Sequence, residues 1–336
     1  GLCQSFAQLD ITFENDLAQA LSGVDLVIPA LENDDALACL DRMTRNSGIP
    51  FAFDPAAYAV SSSKIKSEQL FKQIGVPTPA RWPECNFPVV AKPDQGSGSQ
   101  GVKVFHDIKE LQDTLKPPAS EWLIQEFITG PSYSLEVIGE PGRYTTPQVT
   151  DLSVDEQYDC KRVTAPSNLA GALISEFEAL SLALANSLNL KGIMDVEVIL
   201  YENELKVIEI DARLPSQTPT AVYWSTGLNM VQLLGDLFLN RQTRIQPDSK
   251  HGFGVIYEHV RVTSNQLEIA GEHIMSGADA LHVIPDFFVA NEAITNYAAG
   301  RDEWVATLIV TEKNMETACE KRNSVIADLK KQFNLN

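Results

Sequence analysis

The chain has no Cys-x-x-Cys pair. Its five cysteines, Cys3, Cys39, Cys85, Cys160 and Cys319, are scattered along 336 residues, so neither a zinc site nor a disulfide framework is indicated. Scattered thiols fit a reducing, cytoplasmic setting. No apolar run reaches membrane-spanning length, and no signal peptide is visible, so no membrane partner is expected. Positive charge is scarce: 26 Lys and Arg against 45 Asp and Glu leave a net charge of −19. That excludes the basic stripe a nucleic-acid surface needs. Internal repeats and low-complexity tracts are also missing. The first residue is Gly1 rather than Met, and the chain enters in mid-pattern, so an N-terminal truncation is expected. What is present is a 44% hydrophobic chain, long enough for a large core and roughly two to four domains.

The most informative stretch runs from Gly192 to Thr220. Asp195 and Glu197 alternate with Met194, Val196 and Val198, and Glu209 and Asp211 alternate with Ile208 and Ile210. Side chains two apart on a strand point the same way. Each strand therefore presents two carboxylates on one face and apolar residues on the other. With a three-residue loop, 202–204, Glu197 lies opposite Glu209 and Asp195 opposite Asp211, all on one face; a two-residue loop would split them. Crowded carboxylates repel unless a cation sits between them. A hard divalent cation such as Mg²⁺ is the natural solution, and it usually arrives with phosphate. Arg213 follows at once, a planar fork suited to phosphate oxygens. The competing reading is an edge hairpin with a solvated acidic face.

Around this hairpin the pattern is mixed α and β. Residues 24–30 and 50–53 read as strands about a helix over 34–46, a βαβ rhythm of a doubly wound domain. A helix is expected over 61–74, capped by Ser61 to Ser63 and stopped by Gly75. Strands are expected over 87–92, 102–105, 121–128 and 133–138. Leu173, Phe177, Leu180 and Leu184 mark an amphipathic helix. A helix over 229–239, strands near 253–261 and 304–311 and a last helix over 314–332 complete the reading.

Gly96-Ser97-Gly98-Ser99-Gln100-Gly101 matches the G-x-G-x-x-G dinucleotide fingerprint, but a strand follows where that fingerprint requires a helix. Strand, glycine loop, strand instead describes a flap whose backbone N–H groups lie over phosphates. Lys92, at the end of an apolar strand, would contact phosphate or else snorkel at the surface. Lys64, before its helix, is open between a phosphate contact and simple solvation. Gln125-Glu126-Phe127-Ile128 has the form of an adenine hinge, though any strand exit looks similar. Ser134 and Glu136 share one strand face. His259 reads as a hydrogen-bonded core histidine.

Taken in order, these motifs resemble the ATP-grasp superfamily, most strongly over residues 60–220. Lys191 to Glu197, Ile208 to Arg213, Pro215 to Thr220, Tyr158-Asp159-Cys160 and Tyr257-Glu258-His259 are similar to the ligase family of pyrrolysine biosynthesis. Those enzymes join 3-methyl-D-ornithine to L-lysine. The resemblance implies an α/β (α+β ATP-grasp) fold: a truncated Rossmann-like domain over 1–60, a small subdomain over 61–130, a large subdomain with the metal site over 131–245, and a C-terminal α/β segment over 246–336. It implies ATP and Mg²⁺ as cofactors and small amino acids as partners; a homodimer is one possible assembly, which the sequence does not decide. Lys64, Lys92 and Ser99 would bind phosphates, and Gln125, Glu126, Phe127 and Ile128 adenine and ribose, with Glu32 reaching the nucleotide. Glu197, Glu209 and Asp211 would hold magnesium. Ser134, Leu135, Glu136, Asp195 and Ser216 would meet the ornithine-type substrate, and Arg213 and Lys92 would be catalytic. The expected activity is ATP-dependent carboxylate–amine ligation through an acyl phosphate. The alternatives are a dipeptide or other amino-acid ligase, and a non-catalytic nucleotide-binding regulator.

Overall fold

A computed structural model describes residues 5, 7–11, 13–96, 98–115, 121–241 and 252–335. The N-terminal part holds α1 (Glu14–Ala20), α2 (Asp34–Ser47) and α3 (Pro55–Ser61), with α4 (Lys64–Ile74) beyond. The two strands expected at 24–30 and 50–53 shrink to one parallel bridge, Val27 to Phe51. Pro29 and Pro50 lack the N–H that a longer ladder needs. The helix expected over 61–74 is α4, starting at Lys64, with a separate short helix, α3, ending just before it at Ser61. As expected, Ser63 caps α4 by accepting from Lys66 N (3.2 Å), and Gly75 ends it at φ 73°.

A small antiparallel sheet follows, in the order β2-β1-β3: β1 (Val89–Pro93), β2 (Lys103–Phe105) and β3 (Trp122–Glu126), with α5 (Ile108–Thr114) between the last two. The rest of the chain builds one large sheet. Its first strands are β4 (Ser132–Glu140), β5 (Arg143–Thr145), β6 (Thr150–Val154) and β7 (Cys160–Ala165). Then come α6 (Gly171–Leu188), β8 (Gly192–Tyr201), β9 (Glu204–Asp211), α7 (Thr218–Thr226) and α8 (Met230–Phe238). The C-terminal part adds β10 (Gly254–Val262), β11 (Leu267–Ile269), α9 (His273–Ser276), β12 (His282–Pro285), β13 (Glu292–Thr295), β14 (Trp304–Glu312) and α10 (Met315–Gln332). The main path is β12-β13-β14-β10-β7-β6-β4-β8-β9, so the C-terminal strands join the sheet that carries the acidic hairpin. The start expected for the C-terminal segment, residue 246, lies outside the described residues.

The apolar faces of β4, β8 and β9 (Leu135, Val196, Ile210) pack on Phe177 and Leu184 of α6, in a core whose members are almost wholly buried. A second core surrounds Trp304, Val260 and Leu329 under α10. Glu258 of β10, fully buried, accepts from Arg162 Nε of β7 (2.6 Å) and Arg322 Nε of α10 (2.7 Å). His259 is a core residue, its Nδ1 2.8 Å from Thr307 Oγ1.

Candidate functional site

The hairpin pairs its acids as expected, but by a different route. Its loop has two residues, Glu202 (φ 52°) and Asn203 (φ 66°), a left-handed pair suited to a tight hairpin turn. Pairing then runs Tyr201 to Glu204 through Val198 to Val207. At that point a bulge leaves Ile208 unpaired and sets Glu197 opposite Glu209 and Asp195 opposite Asp211. The extra residue thus restores the facing that a two-residue turn would have destroyed. On the other side of β8, Ser134 lies opposite Glu197 and Glu136 opposite Asp195. Two rows result: Glu136, Asp195, Asp211 and Ser134, Glu197, Glu209.

Burial and mutual repulsion hold the carboxyls of Glu136, Asp195, Glu197 and Asp211 above their ordinary range. Burial first, then Glu209, raises Asp211 to about 8. Burial raises Asp195 to about 6; Ser134, donating to its Oδ1, works against the rise and the Glu209 charge adds to it. Glu197 is raised by burial and then by Asp195 and Glu209, against Lys92. Glu136 is raised to about 8 by burial and Asp195. Oxygen ligands short of positive charge suit a hard divalent cation. Among the described residues the carboxylates of Glu197, Glu209 and Asp211 do not converge on one point, however. Only Asp155, Asp159 and His273 bring three ligand atoms within 4.8 Å of one another. Glu209 turns to Lys64 (3.3 Å) and Asp211 to Arg213 Nε (2.7 Å).

Lys92 is carried to the acids by β1, and Lys64 is brought beside it by Asp94, just beyond that strand. Its Oδ1 accepts from Ser63 Oγ (2.7 Å) and Ile65 N (2.9 Å), and its carbonyl accepts from Lys64 N (2.9 Å), pinning the start of α4 to the end of β1. Lys64 Nζ then donates to Gly96 O in the glycine loop (2.7 Å). Lys92 reaches the bulge, Nζ to Ile208 O at 3.4 Å, and burial lowers its pKa while Glu209 raises it. A cavity of about 160 Å³ lies between Lys92, Glu126, Phe127, Ile128 and the apolar Val90, Ile199 and Ile208. Gln125 borders it, but its side chain turns inward and donates to Glu68 Oε2 (2.8 Å). The glycine loop closes this cavity from above. Ser99 Oγ donates to Tyr158 O (2.7 Å), and Tyr158 stands edge-on to Phe127 at 6.0 Å.

Some expected residues stand elsewhere. Glu32 forms an ion pair with Arg213, so the guanidinium is held by two carboxylates, those of Glu32 and Asp211. Burial lowers the Arg213 pKa to about 10. Leu135 points into the core under the sheet and its side chain does not face the cleft, because alternation along β4 sends only Ser134 and Glu136 that way. Glu136 is wholly buried, with neither oxygen in a hydrogen bond meeting ordinary geometry, and it does not border the cavity that Asp195 lines. Ser216 donates to Glu272 Oε2 (2.9 Å).

Asp94, Gln217, Thr218 and Glu272 also border or build the site and were not singled out from the sequence. Gln217 and Thr218 lie in the Pro-Ser-Gln-Thr-Pro-Thr motif, which was a usable signal. Glu272 sits in a loop with no pattern of its own. The loop is fixed by consecutive N–H donors: Gly271 to Asp155 Oδ2 (2.9 Å), Glu272 to Cys160 O (3.1 Å) and His273 to Asp159 Oδ2 (2.7 Å). A Cβ on Gly271 would fall 2.3 Å from Asp159 Oδ2, so only glycine fits there. Among the described residues no helix is long and apolar enough to cross a membrane.

Residues 61–217 match the model of the ATP-grasp domain. Over 333 residues the chain is 36% identical to the 3-methyl-D-ornithine–L-lysine ligase of Methanosarcina mazei, covering 98% of this chain and 85% of that one. Among solved structures it is similar to the biotin carboxylase domain of Hydrogenobacter thermophilus 2-oxoglutarate carboxylase, determined with MgADP (TM-score 0.72, 17% identity, 93% of this chain and 76% of that). It is also similar to the L-amino acid ligase of Bacillus licheniformis (TM-score 0.67, 18% identity, 94% and 83%).

Proposed function

This chain belongs to the ATP-grasp family, and from that premise we propose that it joins 3-methyl-D-ornithine to L-lysine, using ATP with Mg²⁺. The relatives of that name run along nearly the whole chain. The observation that carries the reading is the convergence of Lys64, Lys92, Glu197 and Glu209 on one cavity roofed by the glycine loop. Lys64 and Lys92 hold phosphate oxygens, and backbone groups at 126–128 meet the base. Magnesium held by Glu197, Glu209 and Asp211 would neutralise the phosphoryl oxygens during transfer. For this the acids must exchange their present partners, Lys64 and Arg213, which the nucleotide's charges would draw off.

The γ-phosphoryl group passes to a carboxylate oxygen of the ornithine-type substrate, giving ADP and an acyl phosphate. A neutral ε-amine then attacks the acyl carbon, phosphate leaves, and the amide forms. Arg213, once released from Glu32, steadies the charge developing on the phosphoryl group. The glycine loop, fastened at Ser99, keeps water from the acyl phosphate. The test is ADP release in the presence of each amino acid alone and of both. Release and amide formation that need both supports the reading. Amide formation with a different pair would make the chain another amino-acid ligase, and tight nucleotide binding without any release a regulator.

A further inference from the structure

Gln217 and Glu272 form a hydrogen-bonded pair that lines the inner cavity and leaves hydrogen-bonding capacity unused. Gln217 is only 7% exposed, and its Nε2 donates to Glu272 Oε2 at 2.9 Å. A carboxylate only accepts, so the amide must present its NH₂ group to Glu272, which fixes the direction of its carbonyl oxygen. That buried Oε1 has no partner. Buried polar atoms are nearly always paired, and an exception at a cavity wall points to a missing ligand. Glu272 in turn takes Ser216 Oγ and Gln217 Nε2 on one oxygen; its charge acts on Arg213, but among the described residues no cation lies within ion-pair distance of it. Elsewhere in the cleft Glu209 faces Lys64, Asp211 and Glu32 face Arg213, and Asp159 faces His273. The three backbone bonds of the 271–273 loop hold the Glu272 carboxylate in place before any ligand arrives.

The location separates the two amino acids. Glu272 and Ser216 border both the inner cavity, with Asp195 and Thr218, and a wider outer cleft of about 970 Å³ reaching Glu32 and Met275. The carboxylate to be phosphorylated must lie at the inner end, near Lys92 and the acid rows. The second amino acid comes from the outer side. Its attacking amine must be neutral, so the group that stays charged is its other, α-amino group. An ammonium has three donors and seeks acceptors. We propose that Gln217 and Glu272 form the subsite that recognises the charged amino group of the amino acid supplying the attacking amine. This rests on the ligase reading above.

Two variants and one substitute nucleophile test it. Glu272→Gln removes the charge and keeps the shape; Gln217→Met removes the acceptor and roughly keeps the volume. Hydroxylamine, which carries no second cationic group, replaces lysine to trap the acyl phosphate as a hydroxamate. Glu272→Gln should raise the KM for L-lysine roughly ten- to a hundred-fold, the range of a lost charge-assisted hydrogen bond. Gln217→Met should raise it several-fold. Hydroxamate formed with 3-methyl-D-ornithine should persist in both, with its KM unmoved. An unchanged lysine KM in both variants overturns the proposal, as does a parallel loss of hydroxamate, which would mean a structural role or a place with the carboxylate donor. If wild-type enzyme gives hydroxamate but no amide with lysine, the ligase reading itself fails, and the subsite falls with it.

Discussion

Replacing Glu197 with Gln should make the ligand-free protein more stable and the enzyme nearly inactive. Glu197 shares its face with Asp195, Glu209 and Asp211, and only Lys92 offsets them. Facing residues on neighbouring strands have Cβ atoms ~5 Å apart. At an effective dielectric of about 20, each like-charge contact at ~6 Å costs roughly 2–3 kcal/mol. Proton uptake relieves part of this, so the net gain on neutralising Glu197 is of order 1–3 kcal/mol, a few degrees in Tm. The sign with pH follows from linkage. A carboxyl raised above its ordinary 4.5 contributes fully below that pH and becomes a burden as pH rises toward its folded value. The variant and wild type should therefore melt together near pH 4 and separate steadily toward pH 8, the variant higher. With magnesium and ADP the order should reverse, since the wild type alone keeps the full ligand set. Turnover should fall about a hundred-fold or more. Calorimetry across pH, with and without MgADP, gives the melting points, and coupled ADP release gives the rate. A variant less stable than wild type at pH 8 without metal, or one that keeps near-normal turnover, would refute the reasoning.

Ser99→Ala removes the bond that fastens the glycine loop to Tyr158, so hydrogen exchange at residues 98–102 should rise and MgADP should protect them less than in wild type; equal protection in both proteins would mark the loop as a static turn. Glu136→Gln should leave the KM for the amino acid whose carboxylate is activated, and that for ATP, within about two-fold, because Glu136 is wholly buried and does not border the cavity; a roughly ten-fold rise in the amino-acid KM would place it against the substrate. A collapse of ATP affinity would instead tie Glu136 to the nucleotide or the metal. Glu258→Ala leaves Arg162 and Arg322 without their shared buried partner and should cost ~3–5 kcal/mol in urea unfolding; a loss below about 1 kcal/mol would show that water replaces the carboxylate.

Alternation with a period of two made the acid face legible in the sequence, because it depends only on local strand geometry. The facing of Glu197 with Glu209 was also read correctly, from the wrong turn. The bulge at Ile208 compensates for a shorter loop, and an isolated Ile carries no signal of being unpaired. The strands at 24–30 and 50–53 were over-read because hydrophobic runs outweighed the missing N–H groups of Pro29 and Pro50. Leu135 was placed in the site through its neighbours, although the same alternation sends it to the core. Asp94 and Glu272 were invisible for a common reason. Their roles come from contacts across 29 to 56 residues of chain, which no local pattern encodes.

The single large sheet has a consequence for how the molecule comes apart. β10, which begins at Gly254, lies between β7 and β14, and Glu258 on it couples β7 to α10. Removing everything from Gly254 onward would turn β7 into a bare edge, with unpaired backbone groups open to another chain. The segment that presents Glu272 is therefore no detachable module. Heating should melt the acid rows and the C-terminal strands in one transition, so any damage at the far end of the chain lowers the population of molecules able to assemble the cleft.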